Sequence, residues 1–382
     1  MTARRTAWLL AGVLGLSLTG ACIYSRFSSS GGESHFSGGP MLQRGDADGK
    51  TEIYVVWRTS DESDSVVSYR CMDGDAWLTV SDPKPTRYHA VKLSGLSPEK
   101  DYEYKAESGG EEIGGGRIST LDSGGSFRFA VFGDSGSGSD NQYAVAKEIE
   151  TRNADFILHT GDLIYPRGED KDYPKQFFAP YKHSIANAVF YPAIGNHDFS
   201  GDGGSPWLKN FVLPGKEIYY HFDYGNADFI ALDSNNVSDE SVKWLDEELA
   251  KCDKLWKIVF FRHPPFSNAA GRNGPRGGNN AVRDRWLPVM KKYRVDLVFC
   301  GHDHLYTRFH QADSEAINPT VIIEGCGGKS LYKTIANDEV QVTDNENYGF
   351  GLVDVQGENL YFRHITADGK ELDYFSINKE AK

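Results

Sequence analysis

At 382 residues, 39% apolar and 25% charged, the chain has the size and composition of a folded protein with one large domain and a smaller one, which excludes wholesale disorder. A net charge of -13 excludes a general nucleic-acid or polyanion binder, because such proteins need a basic surface. Any phosphate-directed chemistry in so acidic a chain needs positive charge supplied locally, and metal ions supply it.

In chain order, residues 1–21 read as an export signal: Arg4 and Arg5 precede an apolar run from Ala7 to Thr19, and Gly20-Ala21 are the small residues of a cleavage site. The run is short for a membrane span. Leu18-Thr19-Gly20-Ala21-Cys22 resembles a bacterial lipobox, with Thr19 where an aliphatic residue is usual. Cys22 is therefore the expected lipidation site, and this anchor is the only expected membrane contact. The expected location is the bacterial cell envelope, lipid-anchored or periplasmic, with plain secretion as the alternative. Residues 22–40 are Ser/Gly-rich and read as a tether. Cys71, Cys252, Cys300 and Cys326 match no zinc spacing, and Cys300, at the end of an apolar run, reads as a buried thiol.

Residues 41–122 alternate like strands: 53–59, 66–70, 88–93, 102–108 and 116–121, separated by turn residues. Leu93-Ser94-Gly95-Leu96-Ser97-Pro98 followed by Tyr102 resembles the turn and corner tyrosine of a fibronectin type III sandwich, so a small all-β domain of that type is expected. After a linker, residues 127–382 change to apolar strands alternating with helices, the pattern of an α/β domain. Strands are expected at 127–132, 155–159, 189–194, 256–261 and 297–300, and helices at 141–152, 238–251 and 281–293. A hairpin is expected through Gly225-Asn226, and a strand-rich tail from 321 to 377.

Four of these strands run into a glycine followed by metal-ligating residue types: Gly133-Asp134-Ser135-Gly136, Gly161-Asp162-Leu163-Ile164-Tyr165, Gly195-Asn196-His197-Asp198 and Gly301-His302-Asp303-His304. His263 ends a fifth strand without one. Strand C-termini are where α/β sheets place their sites, and glycine lets the backbone turn and lets a ligand approach. A single Gly-Asp is usually only a turn. Five such strand ends in this order point to one site.

The order GD-x-G, GD-x-x-Y, GNH-D, lone His, GH-x-H resembles the purple acid phosphatase branch of the calcineurin-like metallophosphoesterases, over about residues 127 to 366. The resemblance implies a metallophosphoesterase β-sandwich flanked by helices behind the small sandwich. Two departures stand out: Phe260-Phe261-Arg262-His263 replaces V-x-x-H, expected to leave ligation unchanged, and GNHD replaces GNHE. Asp134-Ser135-Gly136 lacks the histidine of the wider superfamily's D-x-H, and Tyr165 stands where this branch keeps an iron-binding tyrosinate.

The resemblance implies two metal ions. Asp134, Tyr165, His304 and one oxygen of Asp162 would hold Fe(III), while Asn196, His263, His302 and the other oxygen of Asp162 would hold Zn(II), Fe(II) or Mn(II). The implied reaction is hydrolysis of a phosphate monoester on a small substrate, acid phosphatase type, by a metal-bound hydroxide without a phosphoenzyme. His197 is the candidate proton donor to the leaving group, with Asp198 orienting its ring. Asn196 and His197 would touch substrate, as would Asn268 and Arg272 from the loop 264–280. The alternatives are a phosphodiesterase or nucleotide hydrolase with the same metals, and a non-catalytic envelope scaffold. His159, His183, His221, His310 and His364 read as structural or solvent-exposed, and Gly325-Cys326-Gly327-Gly328 as a tight turn.

Overall fold

The computed structural model describes residues 36–45, 52–120, 125–215, 218–271, 274–309 and 319–379. Period-two burial runs through the N-terminal strands, as expected of sheets with one dry face. β1 (Phe36–Gln43) pairs with β2 (Ile53–Cys71), which pairs with β3 (Leu78–Leu93). β4 (Asp101–Ser108) pairs with β5 (Glu111–Ser119), and every pairing is antiparallel. The long β2 and β3 break register between Arg58 and Ser65. Before the break β2 lies between β1 and the end of β3, and after it between β4 and the start of β3. β2 thus changes partners along its length within one continuous sheet, and Trp57, Val67, Val91 and Tyr104 of these strands join the buried core. The expected tyrosine corner is present: the Ser97 amide donates to Tyr102 Oη at 2.8 Å.

Residues 36–40, assigned by composition to the tether, belong instead to β1. Gly38, Gly39 and Pro40 are buried, and a Cβ on Gly38 would stand 2.2 Å from the Phe178 ring. Glycine there serves close packing, which composition alone cannot distinguish from slack chain. The export signal, Cys22 and the rest of the tether to residue 35 lie outside the described residues.

The larger domain follows as β6 (Ser126–Phe132), α1 (Asp140–Glu150), β7 (Phe156–His159), α2 (Ala179–Asn187), β8 (Val189–Pro192), α3 (Asn196–Ser200), α4 (Ser205–Asn210), β9 (Tyr220–Tyr224), β10 (Ala227–Leu232), α5 (Asp239–Lys251) and β11 (Trp256–Phe261). A minimal hairpin comes next, β12 (Ala270–Gly271) with β13 (Gly274–Pro275), and then α6 (Leu287–Lys292) and β14 (Leu297–Cys300). The chain closes with β15 (Tyr306–Phe309), β16 (Thr320–Glu324), β17 (Val340–Asp344), β18 (Gly349–Gln356), β19 (Asn359–Thr366) and β20 (Glu371–Asn378).

One sheet has the order β20-β19-β18-β6-β7-β8 and continues into β1 through Leu42 beside Val189. The other has the order β17-β15-β16-β14-β11-β10-β9. Alternation sorts the second sheet's side chains. Phe229, Phe260 and Phe299 belong to the core shared with the first sheet, whereas Ile230, Val259, Phe261 and Val298 pack with Leu245 and Leu249 of α5 and Met290 of α6. Aromatic edges lock the two sheets face to face, with Phe129 and Phe229 rings 5.3 Å apart and nearly perpendicular. The result is a sheet-on-sheet sandwich flanked by helices. The strands of β6-β7-β8 and of β10-β11-β14-β16 run parallel, so their C-terminal ends share one edge of each sheet. No described helix is long and apolar enough to cross a membrane. The four described cysteines are free thiols, and Cys300 is buried as expected.

Candidate metal centre

Each motif begins within a few residues of the C-terminal end of its parallel strand: Asp134 after β6, Asp162 after β7, Asn196 after β8, His263 after β11 and His302 after β14. Of the seven described non-glycine residues with positive φ, three are Asp134 (56°), Asp162 (58°) and His302 (72°). Left-handed backbone at non-glycine residues costs energy, and it concentrates where side chains are aimed by tertiary structure.

Tyr165 Oη lies 2.7 Å from Asp134 Oδ1, 2.9 Å from Asp162 Oδ2 and 3.1 Å from His304 Nε2. His304 Nδ1 lies 2.9 Å from the Ser330 carbonyl, an obligatory acceptor, so Nδ1 carries the proton and the Nε2 lone pair faces the acidic cluster. The His302 amide donates to Asp134 Oδ2 at 2.8 Å, while His302 Nδ1 is buried with no hydrogen-bond partner. His263 and His302 are neighbours, with ring centroids 4.5 Å apart. Ser234, just after β10, fixes His263: its Oγ lies 2.9 Å from Nδ1 and accepts the His263 amide at 2.9 Å.

The electrostatics follow from burial. Burial and then the Arg262 charge lower the His263 pKa to about 4, and the same causes lower His302 further, so both imidazoles are neutral as ligation requires. Burial followed by the Asp134 and Asp162 carboxylates pushes the Tyr165 phenol well up. Burial works against ionisation of Asp134, but Arg262 and His304 hold its carboxyl well below the usual range, while burial pushes its neighbour Asp162 up. The convergence of two carboxylates, a phenol and an imidazole lone pair, with a partnerless nitrogen on His302 nearby, is a donor set that fits metal ions.

His197 sits at the half-open rim, its ring 4.4 Å from that of Tyr165. Its Nδ1 lies 2.6 Å from the Pro166 carbonyl, so Nδ1 donates and Nε2, 4.0 Å from Asp162 Oδ2, is left to exchange a proton. Asp198 does not orient this ring. Its carboxylate is fully buried and accepts the amides of Asp162 (2.8 Å), Leu163 (3.2 Å), Ile164 (3.0 Å) and Gly195 (2.9 Å). It therefore shapes the Asp162–Tyr165 loop. Burial and then the Asp162 charge push its pKa up to about 7.

The structure also sets aside Asn268 as a substrate contact. Its buried carboxamide accepts from Thr307 Oγ1 at 2.9 Å and donates to Thr343 Oγ1 at 3.1 Å, joining β15 and β17. Arg272 lies outside the described residues. Among the described residues of this loop, Arg276 reaches the site, contacting His302 Nε2 and pairing with Asp303 at 2.7 Å. Lys329 stands over the Tyr165 ring at 4.7 Å, and its amide clasps the Asp134 carbonyl at 2.8 Å, so the turn 325–328 supports the centre. Among the declined histidines, His159 bonds Ser135 and the Gly161 amide, and His364 pairs with Glu324 in the core. His310 lies outside the described residues.

Sequence reasoning missed Ser234, Arg262, Arg276 and Lys329. The signal for Ser234 was the polar Asp233-Ser234-Asn235-Asn236 run at another parallel strand end.

Residues 127–306 match the family model described as calcineurin-like phosphoesterase. An uncharacterized protein of Mycobacterium tuberculosis is 27% identical over 335 residues, covering 72% of this chain and 62% of its own length. Purple acid phosphatase 17 of Arabidopsis thaliana is 28% identical over 250 residues, covering 56% of this chain and 72% of its own. A purple acid phosphatase isolated from yellow lupin (Lupinus luteus) seeds shares the fold, with a TM-score of 0.76 at 21% identity over 89% of this chain and 74% of that one. The chain thus spans about three fifths of the mycobacterial relative's length. The ordered strand-end motifs, the sandwich that presents them and these likenesses agree: the chain carries a calcineurin-like metallophosphoesterase domain with purple acid phosphatases among its homologues.

Proposed function

We propose that this protein is an exported, metal-dependent phosphatase that hydrolyses phosphate monoesters on small substrates. The observation that carries the reading is the convergence of Asp134 Oδ1, Asp162 Oδ2 and His304 Nε2 within hydrogen-bond distance of Tyr165 Oη. Asp134, Tyr165, His304 and Asp162 would hold Fe(III), and Asn196, His263, His302 and Asp162 a divalent ion; such ions supply Lewis-acid activation of water and of phosphate oxygens. The other steps belong to side chains. His197 Nε2 delivers a proton to the departing alkoxide, its tautomer set by the Pro166 carbonyl. Arg276 and Lys329 at the rim offer fixed positive charge to a phosphate dianion, which favours a monoester over a singly charged diester. Export and lipidation of Cys22 rest on residues 4–22 of the sequence.

Metal analysis combined with a substrate panel tests the proposal. The loaded protein should contain iron and show a visible tyrosinate-to-iron band that Tyr165→Phe removes. Asp162→Asn should lower kcat/KM on an aryl monoester by about a hundredfold or more. Faster turnover of an aryl diester than of the monoester would move the assignment to phosphodiester chemistry. Unchanged activity in Asp162→Asn would remove the enzyme reading altogether.

A further inference from the structure

Arg262 lies between β11 and His263, and its side chain is 1% exposed. Arginine is almost never buried this deeply without carboxylate partners. Its stem runs beside two of the motif glycines: a Cβ on Gly161 would stand 3.0 Å from Arg262 Cδ, and one on Gly301 2.8 Å from Nη1. The guanidinium then ends among the expected ligands. Nη2 lies 2.5 Å from Asp134 Oδ1, bonds Asp162 Oδ2 and lies 3.5 Å from Tyr165 Oη, while Nε donates to Asn196 Oδ1 at 3.3 Å. These four residues span both ligand sets. A guanidinium and a metal ion therefore call on the same oxygens. The fit of the guanidinium is incomplete, since Nη1 is buried without an acceptor.

Two buried carboxylates without a counter-charge would strongly destabilise the fold, and one buried guanidinium offsets that cost. We infer that Arg262 is the built-in counter-cation of the metal-free centre, and that metal loading is an exchange in which the guanidinium releases Asp134 and Asp162 as metal ions take their oxygens. This rests on the metal-centre reading above. The exchange keeps the protein folded before metal arrives and makes its apparent metal affinity lower than the donor set alone would give.

The test is calorimetric titration of Mn(II) or Zn(II) into the metal-stripped full-length protein, with thermal unfolding recorded with and without metal. The wild type should melt at the higher temperature without metal. Arg262→Met should bind the ion more tightly by about tenfold or more and gain more thermal stability from it. Arg262→Lys, which keeps the charge but lacks the planar fork, should fall between the two. If Arg262→Met does not fold without metal, Arg262→Lys decides, by binding tighter than wild type or not. A folded variant that binds no tighter than a metal-binding wild type overturns the exchange while leaving the metal centre standing. A wild type that binds neither ion removes the metal centre itself, and the exchange with it.

Discussion

Asp198 follows His197 in sequence, yet it serves the backbone rather than the imidazole. Asp198→Ala would leave four interior amides without their acceptor. An unmet buried donor costs about 1–3 kcal/mol, so we expect a loss of about 3–5 kcal/mol in urea unfolding once partial relaxation is allowed. Asp198→Asn keeps one acceptor oxygen and should lose less. His197→Ala should leave stability within about 0.5 kcal/mol and instead lower kcat on an alkyl phosphate by about 10²–10³-fold. An aryl phosphate with a good leaving group needs little protonation and should be affected far less. Equal losses on the two esters would remove the proton-donor role. The ligand positions were legible because each stands just beyond an apolar run, so pattern and chemistry coincide at one residue. Asp198 was not, because its partners are amides, which carry no sequence signature. Arg262 looked like a harmless motif variation because a strand pattern does not reveal which buried face meets carboxylates.

Strand β3 places His89 opposite Trp57, next to the register break of β2. Its ring stacks on Trp57 with centroids 4.7 Å apart, and its nitrogens lie 2.8 Å from Thr59 Oγ1 and 2.8 Å from Ser65 Oγ. Burial lowers its pKa to about 4, against an unfolded value of about 6.5. The folded state therefore favours the neutral ring: the stabilisation is complete above the unfolded pKa and is lost as pH falls through about 4. Limited proteolysis across this range should cut residues 41–122 at a higher pH than the larger domain, and His89→Gln should lower the pH at which cutting begins. An unmoved onset would show that His89 does not govern acid sensitivity. The same break explains why 53–59 and 66–70 look like separate strands in the sequence: β2 is a single 19-residue strand whose polar stretch lies at the register break. The helical stretch from Pro174 to Asn187 was hidden by its prolines: Pro174 opens it, where a missing amide proton costs nothing, and Pro180 stands where the π-helical turn gives way to α2.

Across the molecule, the N-terminal strands brace the loop that carries Tyr165. Arg58 of β2 pairs with Asp170 at 2.7 Å and also donates to its carbonyl at 3.2 Å, while Tyr88 Oη of β3 donates to the same carboxylate at 2.8 Å. Tyr104 Oη of β4 reaches the Ala186 carbonyl at 2.9 Å, and Gln43 of β1 bonds the Phe190 carbonyl and the Val212 amide. The change from strand alternation to strands interleaved with helices was legible from period and composition, but these bonds were not, since they join residues more than eighty positions apart through side chains common on any surface. Asp170 is five residues beyond Tyr165, so loosening it should be felt at the metal site before it is felt in the core. The Arg58–Asp170 pair is partly exposed on the aspartate side, which limits its contribution to about 1–2 kcal/mol. We expect Arg58→Ala to lower the urea midpoint modestly and to release metal to a chelator several-fold faster, with Arg58→Lys between it and wild type because a single ammonium cannot hold carboxylate and carbonyl together. A variant with a lowered midpoint but wild-type release would confine the N-terminal strands to fold stability; faster release would make them part of how the metal site is held.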